Sequence, residues 1–231
     1  MDDWIDYYDS AHTIYVSARH RDVHFRRIAD DIAGYAGAAD IVLDYGCGEA
    51  VHADRLAAKV ARLILVEPAP GVRARLTQRF SANGKIAVGG PDALAAIADR
   101  SIDLAVMHSV AQYLTPDELD AALAIVRRLL KPSGRVLLGD VLQPGVSALT
   151  DAAALLGFGA AHGFFFAALF GLARTVLSRY WRLRSRLGLT RYSEQAMLEK
   201  LAAAGFSARR APDNIGHNQA RMTFVAHPAA A

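Results

Sequence analysis

Apolar residues in the first part of the chain fall in short, nearly unbroken runs separated by longer stretches of mixed character. The runs are 41–45, 62–67, 85–88, 102–108 and 134–140, rich in Val, Ile and Leu. Runs of that length and composition are what strands covered on both faces require. Between them, 51–60, 71–81, 91–98 and 117–131 carry Ala, Leu and Arg at helical spacing. Strands alternating with crossover-length helices predict βαβ units and a mostly parallel sheet. Thr115-Pro116-Asp117-Glu118 marks a helix start, with Thr115 as cap and proline at the first helical position. Lys131-Pro132-Ser133-Gly134 marks its stop. Beyond residue 150 the pattern changes. An uncharged run, 152–173, precedes an arginine-rich stretch, and Tyr192-Ser193-Glu194 opens another helix that Gly205 ends. Two last runs, 206–210 and 221–227, are joined too closely for a helical crossover and should pair antiparallel.

At 231 residues the chain has length for one well-buried domain and not for two full-sized ones. The expected layout is a helical segment over the site (1–35), a core (36–150), an apolar and basic helical lid insertion (151–191), and a last helix with a terminal hairpin (192–231). One cysteine, Cys47, rules out an intrachain disulfide framework and fits a reducing compartment. The opening residues carry Asp2, Asp3, Asp6 and Asp9 and no signal-like apolar core, so a cytoplasmic location is expected.

The chemistry-bearing segment is Asp44-Tyr45-Gly46-Cys47-Gly48-Glu49-Ala50, directly between a buried strand and a helix. Glycines at 46 and 48 let the backbone turn sharply and approach a ligand closely. The amides at the next helix start favour negative charge there. Glu67 ends the following strand, where a carboxylate is placed to accept from the two hydroxyls of a ribose.

These residues resemble the first motif of class I S-adenosylmethionine-dependent methyltransferases. Similar too are Leu65-Val66-Glu67-Pro68, Ser101-Ile102-Asp103-Leu104 with His108 to Leu114, Leu129 to Leu138, and Tyr192-Ser193-Glu194 with Ala204-Gly205-Phe206, all in family order. The resemblance implies a Rossmann-like α/β fold: a seven-stranded, mostly parallel sheet, last strand antiparallel, helices on both faces. It implies S-adenosyl-L-methionine as cofactor and S-adenosyl-L-homocysteine as product. Asp44, Gly46, Cys47 and Gly48 would surround the methionine end; Glu67 and Pro68 would hold the ribose; His108 would contribute its backbone. The sequence departs at 89–94, where Gly90 stands in the usual acid slot, so Asp92 with Ala93 is the expected adenine contact.

Methyl transfer is an in-line displacement in which the protein aligns the nucleophile, and an oxygen nucleophile gains from a base. Candidates at the C-terminal strand edge are His108, Gln112 and Tyr113, with His217 and Asn218 in the final turn. Tyr8, His12, Tyr15 and Arg19 recur at helical steps and are expected on one helix face, with His20 and His24 following; His12 and His20 are further catalytic candidates. No cluster has zinc-ligand spacing, so no metal is expected. A nicotinamide-dependent oxidoreductase shares the glycine loop and acidic strand end, but Val51 stands where it needs a small residue. A non-catalytic Rossmann-like protein that binds a membrane or partner is the other alternative.

Charge decides the expected partners. Residues 1–150 hold 16 Lys and Arg against 19 Asp and Glu; residues 151–231 hold 10 against 4. Arg174, Arg179, Arg182, Arg184, Arg186 and Arg191 fall in one acid-free stretch. Such a patch suits an anionic surface. Nucleic acid is not expected, because no binding module accompanies it. The 22 uncharged residues suffice to span a bilayer, yet a single span would separate the last strands from their sheet. A bent helix or helical hairpin is therefore expected. Leu172, Val176, Tyr180, Leu183 and Leu187 form an apolar stripe on a basic helix, the pattern of a segment lying in a membrane interface. The expectation over 152–187 is a lid on an anionic membrane surface and a small or lipid-like acceptor, the alternative being a homodimer through the lid.

Overall fold

The computed structural model describes residues 2–10, 14–175, 186 and 188–229. Its seven strands are β1 (Ile41–Tyr45), β2 (Arg62–Val66), β3 (Ile86–Gly89), β4 (Ile102–His108), β5 (Leu130–Val141), β6 (Phe206–Arg210) and β7 (Met222–Pro228). They lie in the order β3-β2-β1-β4-β5-β7-β6. β1 to β5 pair in parallel, and β7 runs antiparallel between β5 and β6. The expected mixed sheet is the one observed. β5 begins earlier than its apolar pattern suggests, directly after the helix and through Lys131-Pro132-Ser133. Gly134 makes that path feasible: a Cβ there would meet the carbonyls of Ile102 and Lys131 at 3.0 Å.

Strand parity divides the core. Leu43, Ala105, Met107, Val136 and Leu138 face helices α5 (Pro116–Leu129) and α8 (Glu194–Ala203). Val42, Leu104, Val106 and Leu137 face α2 (Ala18–Ala33), α3 (Ala53–Lys59) and α4 (Pro70–Phe80). Side chains alternate along a strand, so Asp44 and His108 share the α2 face. They stand on adjacent strands, since Asp44 pairs with Val106. The stretch after β3 is a 3-10 turn, Pro91–Ala96, rather than a longer helix. Thr115 caps α5 through the expected reciprocal bonds with Glu118, and Ser193 caps α8.

The N-terminal residues do not form one helix. α1 (Asp2–Asp9) ends before residues 14–17, which are irregular, and Ser17 caps α2 by accepting from His20 N–H. A single face carrying Tyr8, Tyr15 and Arg19 therefore does not exist, because the Ser17 cap starts a new helix between them. His12 lies outside the described residues. α1 docks through Asp9, whose carboxylate accepts from Val72 N–H at 3.0 Å in the first turn of α4. Trp4 and Tyr7 are buried, and the Tyr8 hydroxyl meets that of Tyr113 at 2.6 Å.

After β5 the chain forms a helical hairpin, α6 (Ala148–His162) and α7 (Phe165–Thr175). Gly163 makes the turn with φ +74°, a left-handed conformation that glycine adopts without penalty. Phe158, Phe164 and Ala168 pack on Val23 of α2. Gly171 lets Val16 approach: a Cβ there would stand 2.2 Å from the valine side chain. No helix among the described residues is long and apolar enough to cross a membrane. Val176, Arg179, Tyr180, Arg182, Leu183, Arg184 and Leu187, which carry most of the expected interfacial stripe, lie outside the described residues.

Candidate active site

Five parallel strands end on the same edge, and the loops there assemble the site. Gly46 and Gly48 hold φ +77° and +58°, as a sharp turn after β1 demands. The amides of Gly46 and Cys47 both donate to Val66 O, tying the loop to the end of β2. A side chain at 46 would stand 2.7 Å from Val110, whereas nothing lies within 4 Å of the position a Cβ would take at 48. The loop is thus closed toward β4 and open outward, where a ligand can approach its backbone.

Glu67 is buried and accepts from Gly48 N–H and Ala69 N–H, each at 2.9 Å. A carboxylate has about four acceptor positions, so two remain for a ligand. Arg73 of α4 fixes the turn by donating to Glu67 O at 2.9 Å and Pro68 O at 2.6 Å. Burial raises the Glu67 carboxyl, the two amides and Arg73 opposing it. Asp44 is pushed up to about 7 by burial and by the charge of Glu67. Two carboxylates near enough for the charge of Glu67 to raise Asp44 make a site that favours a positively charged guest. Cys47 is buried, and burial lifts its thiol well above the ordinary range, so it is no thiolate nucleophile.

The departure at Gly90 has a geometric reason. A Cβ there would meet Asp92 Oδ1 at 2.5 Å and the Arg73 guanidinium carbon at 3.3 Å. Asp92 therefore lays its carboxylate over the slot that an acid at 90 would fill. Ala93 follows, its amide donating to Gly90 O at 3.0 Å. A cleft of about 490 Å³ opens beside the glycine loop, lined by Asp9, Ser10, Tyr15, Ser17, Arg21, Glu49 and Arg75. A smaller hollow of about 50 Å³ lies under the loop between Asp44, Gly46, His108 and Phe25. Only the larger cleft has the volume of a nucleoside-sized ligand.

Four histidines gather beneath the hairpin. His217 stacks on Phe158 with centroids 4.4 Å apart, and His20 on Phe164 at 5.0 Å. His24 lies 5.8 Å from both His20 and His217. His108, sitting over Gly139, is close enough to depress the titration of His24 and His217. Among the described residues, Nδ1 of His24 and of His108 is buried without a hydrogen-bond partner. Burial comes first in lowering all four; His20 falls to about 4. Burial thus favours the neutral form of all four, and a neutral imidazole can take a proton. Gln112 is buried in the turn after β4, and its Oε1 has no partner among the described residues.

The histidines make a pH prediction. A folded-state pKa below the unfolded value means the unfolded chain binds protons first on acidification. Their stability contribution is complete above about pH 6.5 and is lost as pH falls toward the folded values, about 4 for His20. His20 alone accounts for about 1–3 kcal/mol of that loss. Thermal melts from pH 7.5 to 5 should show a falling Tm, steeper than in a His24→Leu protein; identical slopes would contradict the clustering.

Sequence reasoning missed the strained edge beside this cluster. Ser109 and Asp140, at the ends of β4 and β5, hold φ +57° and +62°. Ser109 donates to Asp140 at 2.6 Å, and Arg221 bridges Asp140 and Asp151 at 3.0 and 3.1 Å. Non-glycine residues in this conformation concentrate at functional sites. Only the tertiary pairing reveals them. Arg191, counted in the basic patch, is exposed but tied to the turn after β5, donating to Gln143 O, Pro144 O and Val146 O.

Comparison with known proteins agrees with this geometry. Residues 42–134 match a family model described as a methyltransferase domain. No curated protein sequence matches the chain. A 1,6-didemethyltoxoflavin-N1-methyltransferase of Burkholderia thailandensis, solved with that compound and S-adenosylhomocysteine, is 17% identical (TM-score 0.56, covering 90% of this chain and 79% of that one). DhpI, solved with SAH, is 14% identical (TM-score 0.64, covering 100% and 97%). Phosphoethanolamine N-methyltransferase 1 of Haemonchus contortus, solved with phosphoethanolamine and S-adenosylhomocysteine, is 15% identical (TM-score 0.63, covering 100% of this chain and 48% of that one). Residues 42–134 thus match a methyltransferase domain, and the sheet order, with the glycine loop and its acidic partner strand, is that of the Rossmann-like fold these solved methyltransferases share.

Proposed function

We propose that the protein transfers a methyl group from S-adenosylmethionine to an oxygen or nitrogen of a small or lipid-like acceptor. The observation that carries this is the pair Asp44 and Glu67 at the C-terminal ends of β1 and β2, Glu67 already oriented by two backbone amides. The residues fit the cofactor. Glu67 keeps acceptor positions for two hydroxyls, Asp44 offers negative charge to a cationic amino-acid portion, and the open side of Gly48 admits close approach. When bound, S-adenosylmethionine supplies a methyl group on a sulfonium whose departure leaves a neutral thioether.

The remaining work belongs to the chain. Pro68 at the end of the Glu67 turn, with Asp92 and Ala93 after β3, would take the adenine side of the cofactor. Gly46 and Cys47 turn the backbone around the methionine end. The segment carrying Trp4, Tyr7 and Tyr8 covers the edge at Tyr113 and excludes water. His108 stands on the Asp44 face, neutral because it is buried, and is the proposed proton acceptor for an O–H or N–H nucleophile. His217 and Gln112 border the same edge and would position the acceptor.

Titration calorimetry tests the reading: S-adenosylhomocysteine should bind, and NAD and NADP should not. Glu67→Ala should keep the fold and weaken binding at least about tenfold, since charge-assisted hydrogen bonds contribute about 1.5–3 kcal/mol each. Nicotinamide binding without adenosylhomocysteine binding would overturn the proposal.

A further inference from the structure

Helix α7 is built inside out for a helix of a soluble domain. Its inward side carries small residues: Ala168 is fully buried and Gly171 sits against Val16. Its outward side carries large ones. Phe166 and Phe170, one turn apart, are each 73% exposed, and Phe165 and Leu169 lie exposed beside them. With Leu149 of α6, these are all of the exposed large hydrophobic side chains among the described residues. A contiguous aromatic face of this kind marks an interaction surface.

Charge identifies the occupant. From residue 152 to 193 the chain has no acid and six arginines, the first of them, Arg174, exposed in the last turn of α7. Arg186 is also exposed; its partner Asp3 is itself on the surface, and such pairs contribute little. Aromatic side chains standing out beside cations are what the headgroup boundary of an anionic bilayer accepts. The hairpin is too short to cross. α6 has 15 residues and α7 has 11, about 22 and 16 Å at 1.5 Å per residue against a hydrocarbon core of about 30 Å.

We infer that the Phe166–Phe170 face of α7 docks this protein on the interface of an anionic membrane. The docking surface is the aromatic face of α7, ahead of the basic stretch. The opposite face of the same hairpin places Phe158 on His217 and Phe164 on His20. A bilayer held there lies directly behind the histidine cluster. Docking stands independently of the methyl-transfer reading; the consequence that the acceptor comes from the membrane rests on it.

Flotation with vesicles of equal parts phosphatidylcholine and phosphatidylglycerol tests the inference. The full chain should float at low salt and much less at high salt or with pure phosphatidylcholine. Phe166→Ser/Phe170→Ser should reduce the floating fraction at least about tenfold, and Arg174→Glu/Arg186→Glu should also reduce it. Both variants alter exposed side chains, so S-adenosylhomocysteine binding should persist, which separates loss of docking from loss of the site. A wild-type protein that stays at the bottom with anionic vesicles overturns the inference. So does a dimer, seen by light scattering, that the phenylalanine variant dissolves, because the face would then be covered by a second copy.

Discussion

Asp44→Asn is expected to make the ligand-free protein more heat-stable at pH 8 while weakening S-adenosylhomocysteine binding at least about tenfold. The two effects share one cause. Burial and Glu67 hold the Asp44 carboxyl at about 7 instead of its ordinary 3.8. A raised carboxyl pKa means the folded chain binds more protons than the unfolded chain between those values, so stability falls as pH rises through them. Above pH 7 the full penalty is present. Removing the charge should raise Tm by about 2–8 °C at pH 8 for a chain of this size, and the gain should shrink on acidification and vanish near pH 4. The histidine cluster acts in the opposite sense over the same range, so the variant should lose stability more steeply with acid than the parent. Differential scanning calorimetry at several pH values, with and without ligand, checks both arms. A variant no more stable than the parent at pH 8 would show that the Asp44 carboxylate already has a compensating partner.

The sheet was legible because its strands are buried on both faces. Continuous apolar runs such as Leu104 to Met107 have no other stable placement. The glycine loop was legible because positive φ at two positions two residues apart restricts the residue type, and Glu67 because an acid at a buried strand end is conspicuous. What could not be read depends on which elements meet. The break between α1 and α2 follows from the Ser17 cap, a local signal overridden in the reading by a spacing of aromatic and basic residues. The gathering of His20, His24, His108 and His217 joins α2, β4 and the final turn, elements nearly 200 residues apart in sequence. Asp140 looks like an ordinary strand end until Arg221 and Ser109 are seen on it. The stripe from Leu172 to Leu187 that sequence periodicity picks out lies mostly outside the described residues. The exposure of Phe166 and Phe170 was not legible for the same reason as the cluster: it follows from Gly171 and Ala168 occupying the packed side.

Arg221→Met is expected to destabilise the protein by about 3–5 kcal/mol. Arg221 starts the return into β7 and donates to Asp140 at the end of β5 and to Asp151 in the first turn of α6. All three side chains are at least four-fifths buried. Burial pushes against the guanidinium charge, and the two carboxylates outweigh it. Without Arg221, Asp140 and Asp151 remain as buried like charges, and that repulsion, more than the lost hydrogen bonds, sets the magnitude. A protein carrying Arg221→Met, Asp140→Asn and Asp151→Asn together should therefore recover much of the stability, because no buried charge is left unpaired. Urea denaturation of the single and triple variants measures this; a triple variant as unstable as the single one would mean that the geometry of the bridge, not its charge, holds the edge. The functional consequence follows from position. Asp140 also accepts from Ser109, next to His108, and Asp151 anchors the hairpin whose Phe158 carries His217. Loosening Arg221 should thus let the hairpin and the histidine cluster move together, while Gly46, Gly48 and Glu67, held by bonds among β1, β2 and α4, stay in place. Under the proposed function the triple variant should bind S-adenosylhomocysteine within a few-fold of the parent and lose turnover of the acceptor.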